Sequence, residues 1–113
     1  MPLDVAVLDD QYRYKKHMHI DKAIHGTLFK KIVTTKDYPS LGLAHDESED
    51  ITIAPDMVAD LAADIDRLEA YLKAEAPMSE EVKARCLAFT AALKDICAVA
   101  MAEGRAVEFV AGE

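Results

Sequence analysis

The stretch KKHMHIDKAIH, Lys15 to His25, holds three of the chain's four histidines. Read as a strand, it sends Met18 and Ile20 to one face and His17, His19 and Asp21 to the other. Two histidines at that spacing lie about 6.6 Å apart, a workable pair for a divalent ion. Asp21 or His25 would supply a third ligand and leave a position open, as catalytic zinc requires. The loop residues His45, Asp46 and Glu47 lie within reach of such a site in this reading. Two observations weigh against it. Arg13 and Lys15 share the histidine face, and cations beside a metal raise its cost. No HExxH or CxxC frame accompanies the pair. The leading expectation is therefore a solvated or partner-facing strand, with a metal site, or a small metal-dependent enzyme, as the alternative. His25, one position off an apolar stripe, reads as a half-buried, hydrogen-bonded side chain.

The second group of chemistry-bearing residues is acidic. HDESED, His45 to Asp50, lacks the alternating ligands and central glycine of a calcium loop. Further on, Asp56, Asp60 and Asp64 recur every four residues along one ridge of a helix. Like charges so placed repel, an effect partly offset by the dipole at a helix N-terminus. Together with Asp46, Glu47, Glu49 and Asp50 they form the expected partner-binding surface. The two cysteines, Cys86 and Cys97, fall in one helix about 16 Å apart along its axis. That is too far for a disulfide, and free thiols suit a reducing compartment. The four glycines do not cluster, and there is neither a phosphate loop nor a GxSxG nucleophile. No catalytic residue and no cofactor are expected.

These residues must be held by elements that the hydrophobic pattern predicts. LDVAVL, Leu3–Leu8, alternates as a strand. YRYKKHMHI follows after a polar turn, with Tyr12, Tyr14, Lys16, Met18 and Ile20 on its core face, so the two strands form an antiparallel hairpin. Asp21 stands where an N-cap belongs, before a helix over residues 22–33 that Gly26 weakens. Residues 34–50 read as a long loop of the kind that is often functional or mobile. Ile51–Ile53 allows a short strand. Pro55 opens a helix whose Val58, Leu61, Ile65, Leu68 and Leu72 keep 3-4 spacing. Ser79 caps a third helix that Gly104 stops, and RAVEFVAG closes with a strand. The expected fold is α+β: a small antiparallel sheet of hairpin plus C-terminal strand, covered on one face by about three helices. At 113 residues it should be a single domain over residues 1–113.

Charge is unevenly distributed within the net −8. Residues 11–36 carry seven bases against Asp21 alone, net +6, while residues 37–113 carry 17 acids against 6 bases, net −11. An acidic surface disfavours nucleic acid, whose phosphates need cations. No run approaches the ~20 apolar residues of a spanning helix, and the opening MPLDVAVLDD lacks a signal peptide's basic region. A cytoplasmic location is the expectation, without membrane or nucleic-acid partners.

Through LDVAVLD, IHGTLF, YPSL and AEGRAVEFVAG the chain resembles a broad set of small bacterial proteins of unassigned function. In size and charge it is similar to immunity proteins of toxin systems. The resemblance implies a non-enzymatic binding protein that neutralises or regulates a basic partner protein, such as a toxin. The free edge of the small sheet also allows a homodimer.

Overall fold

The computed structural model describes residues 3–11, 13–30, 32–45, 50–74 and 78–111. Four strands, β1 (Leu3–Leu8), β2 (Tyr14–Ile20), β3 (Ile51–Ile53) and β4 (Val107–Ala111), make one antiparallel sheet in the order β2-β1-β4-β3. Three α-helices, α1 (Lys22–Phe29), α2 (Val58–Ala74) and α3 (Glu80–Glu103), complete the α+β fold with 3₁₀ turns at Leu41–His45 and Pro55–Met57. The last strand lies between β1 and β3, so the chain's ends are joined at the centre of the sheet.

Register fixes which residues share a face. Val5 stands opposite both Met18 and Phe109, and Ile53 opposite Val107. These side chains meet α3 and form the core with Ile20 and Val7. Asp4, Ala6, Leu8, His17, His19, Thr52, Glu108 and Val110 therefore occupy the other face.

A bulge corrects one expectation. Val7 pairs with Lys16 but Leu8 pairs with Tyr14, so Lys15 is left over. One extra residue reverses the alternation beyond it. Tyr14 consequently leaves the core face for the histidine face, where its ring lies 5.0 Å from that of His17. The surplus Lys15 forms an ion pair at 3.1 Å with Glu103, at the end of α3. Tyr12 lies outside the described residues.

Helix α1 starts where its cap requires, the Asp21 carboxylate accepting the Ala23 N–H at 3.0 Å. It ends at Phe29, four residues before the expected end. Beyond Phe29 the N–H groups of Ile32 and Val33 both reach back to the Leu28 carbonyl, the second across five residues, a widened turn that closes the helix. Ser79 caps α3 through the Val82 N–H, and Gly104 ends it with φ 64°. Val58, Leu61, Ile65, Leu68 and Leu72 are wholly buried, and α2 packs along α3 with Cys86, Phe89, Leu93 and Ile96 in the shared core. At about 2 kcal/mol for each fully buried aliphatic side chain, this seam is the main stabilising contact of the helical layer. No helix among the described residues is long and apolar enough to cross a membrane.

Candidate functional site

Residues 37–66 contain nine acids and no lysine or arginine. Where this stretch folds back on α2 it forms a cleft of about 490 Å³, walled by Pro39, Ser40, Leu43, Thr52, Met57 and Asp60 among others. Three features of the chain build it. Pro55 sets a tight turn, so that Met57 and Asp60 stand on one side of the entry to α2. Short strand β3, at one edge of the sheet, brings Thr52 and Ile53 to the opposite wall and pairs with no further strand among the described residues. The 3₁₀ turn at Leu41–His45 lays Leu43 across the top.

The wall depends on one buried carboxylate. Asp64 accepts hydrogen bonds from the backbone N–H groups of Ser40 at 2.8 Å and Leu41 at 3.0 Å, both to Oδ2. Its Oδ1 accepts from Arg67 Nη2 at 2.5 Å. Arg67 in turn donates to the Asp37 carbonyl at 2.8 Å and lies over the Tyr38 ring. On the other side of the loop the His25 Nε2 is 2.9 Å from the Ala44 carbonyl, and the His25 ring stacks on Phe29. The segment read as a long loop is thus held from two helices. Gly42 allows its closest approach: a Cβ there would stand 2.7 Å from the Thr35 nitrogen.

Asp64 therefore does not belong to the outward acidic surface expected of it. It is 5% exposed and its oxygens are committed to the loop. The four-residue ridge rotates by about 40° per step on a 3.6-residue helix, enough to take its last member under the loop. Asp60 is exposed at the cleft wall, and Asp56 is exposed on the turn before it. Asp50 is exposed and its Oδ1 accepts the Ala111 N–H at 2.7 Å. Asp46, Glu47 and Glu49 lie outside the described residues. Leu43 and Met57, 43% and 45% exposed, are cleft residues that the sequence reading missed. Arg67 was missed too. The signal for it was present, since it is the first base after nine acids and follows Asp64 by three, a pairing distance on a helix.

The histidines separate. His17 and His19 are exposed on the open sheet face, their rings edge to face at 5.7 Å. His19 pairs with Asp4, the residue directly opposite it on β1. Desolvation, and then the Asp4 carboxylate, push the Tyr14 phenol above its ordinary pKa. Asp21 is occupied as the α1 cap, and His25 is buried beneath the loop at Ala44. The proposed set His17, His19, Asp21 and His25 does not converge. Among the described residues no three His, Cys, Asp or Glu side chains are arranged to hold a metal ion. The side chain of His45 is not among those described.

Searches against family models, curated proteins and solved structures find nothing that matches this chain.

Proposed function

We propose that this chain is a non-enzymatic protein-binding module of the immunity or antitoxin kind, acting in the cytoplasm, whose acidic cleft takes an extended basic segment of a partner. The observation that carries this reading is the cleft itself. It pairs two exposed apolar side chains, Leu43 and Met57, with the exposed carboxylate of Asp60, and the exposed Asp56 precedes Met57 in the same turn. Arg67 also lines the cleft, where its guanidinium is engaged by Asp64, the Asp37 carbonyl and the Tyr38 ring. An apolar anchor beside exposed carboxylates, with the adjoining cation already engaged, is how a surface selects a partner and speeds encounter with it. The open edge of β3 gives an extended segment backbone groups to pair with, while Leu43 and Met57 receive alternate side chains. The two buried free cysteines support a reducing compartment.

The test is to produce the chain together with the product of the neighbouring reading frame. The expected result is a complex whose dissociation constant rises at least about tenfold in Asp56→Lys/Asp60→Lys, and which weakens with added salt. Absence of a complex, or one indifferent to both changes, would overturn the reading.

A further inference from the structure

A second cleft, of about 630 Å³, runs along α1 and is lined by Lys22, Ala23, Gly26, Thr27, Lys30, Ile32, Tyr71 and Met78. That volume lies within the range of small-molecule sites. Lys22, Gly26 and Lys30 are spaced by four, so they stand on one ridge with the glycine between the lysines. Lys15, Lys73 and Lys94 all find carboxylates, whereas Lys22 and Lys30 pair with none among the described residues. Asp21, the nearest acid in sequence, is turned to the Ala23 N–H.

Gly26 is the residue that needs a reason. Glycine inside a helix costs stability. Its φ is not positive, since Gly104 is the one described glycine in that region. Beyond its chain neighbours and its own helix backbone, no heavy atom lies within 4 Å of where its Cβ would sit, so close packing does not require it either. What the missing side chain leaves is a hollow in a cleft that Lys22 and Lys30 also line. Tyr71 and Met78 supply an aromatic and a thioether wall. Such a wall favours a flat apolar body, and the lysines favour an anionic group on it.

We propose that this cleft binds a small aromatic carboxylate, its ring seated over Gly26 against Tyr71 and Met78 and its carboxylate held by Lys22 or Lys30. The proposal does not rest on the acidic cleft, and either can fail alone.

The probe is 1-naphthoate, followed by backbone amide NMR of the full chain, with 1-naphthalenemethanol and inorganic phosphate as controls. Saturable shifts centred on Ala23, Gly26, Thr27 and Tyr71 are expected. The neutral alcohol and phosphate should each bind at least about tenfold more weakly, because each lacks one half of the recognised chemistry. Lys22→Gln/Lys30→Gln should weaken naphthoate about tenfold. Gly26→Ala should raise the melting temperature while weakening naphthoate, and Gly26→Leu should abolish binding in a folded chain. That opposition of stability and binding is not expected of a glycine with a structural role. No saturable shift up to about 10 mM, equal binding of phosphate, or binding undiminished in folded Gly26→Leu would each overturn the proposal.

Discussion

The two clefts draw on opposite ends of the same helix and carry opposite charge. In its first half α2 contributes Asp60, Asp64 and Arg67 to a cleft formed mostly by an acidic stretch; near its end it contributes Tyr71 to a cleft flanked by Lys22 and Lys30. They differ in how they are held. The acidic cleft is organised by a buried ion, two backbone hydrogen bonds and a glycine that permits close contact. The α1 cleft shows no such internal support among the described residues, and its glycine leaves room rather than permitting contact. A glycine or an aspartate in this chain therefore has its meaning from what surrounds it. Asp64 and Gly42 are structural necessities, whereas Asp60 is an exposed charge and Gly26 an open space.

Asp64→Ala should show the largest effect. It orphans the N–H groups of Ser40 and Leu41 and frees Arg67, a loss of about 3 kcal/mol by urea unfolding. Asp60→Ala, four residues earlier, should change stability by no more than about 0.5 kcal/mol. Equal losses from the two would show that Asp64 does not pin the loop.

The glycines give the next contrast. At Gly42 a Cβ would press on the backbone of Thr34 and Thr35, which cannot withdraw as a flexible side chain would. Gly42→Ala should therefore destabilise by about 2 kcal/mol, where Gly26→Ala stabilises. A thermal melt of both variants reads the opposite signs directly.

The buried thiols give a pH dependence that neither cleft affects. Burial pushes Cys97 up to about 12, with Asp66 adding to the rise, and burial raises Cys86 as well. The folded state thus holds these thiols neutral while the unfolded chain ionises them at ordinary thiol values. Their contribution is complete below about pH 8.5 and is lost as pH rises toward 12. The slope cannot exceed about 1.4 kcal/mol per pH unit for one thiol. Cys97→Ala should flatten the alkaline limb of stability against pH. In the native protein both thiols should be inert to a thiol reagent at neutral pH; prompt reaction without denaturant would contradict their burial.

The smallest effects should come from the open sheet face. His17→Ala and His19→Ala should each alter stability by less than about 0.5 kcal/mol, since both side chains are exposed and the pair of His19 with Asp4 is at the surface. Loss of more than about 2 kcal/mol from either would mean that something covers this face.

Much of this was legible in the chain itself. The 3-4 spacing from Val58 to Leu72, the alternation of Leu3–Leu8, and the caps at Asp21, Ser79 and Gly104 each depend on neighbours within a turn or a strand. A pattern of that range is complete in the sequence. So is the exposure of His17 and His19, because alternation with Met18 and Ile20 leaves them one side. Four outcomes were settled only by residues far apart in the chain. The bulge that turned Tyr14 outward arises in the pairing of β2 with β1. Asp64 became a buried staple because residues 40 and 41 offered it two N–H groups from 24 and 23 positions away. His25 was turned to the Ala44 carbonyl, 19 residues on, and does not join His17 and His19. Tyr71 and Met78 met α1 to close a cleft that no local pattern announces. A charge or a ring is written in the sequence, but whether it is spent on the fold or left for a partner depends on which distant backbone groups need it.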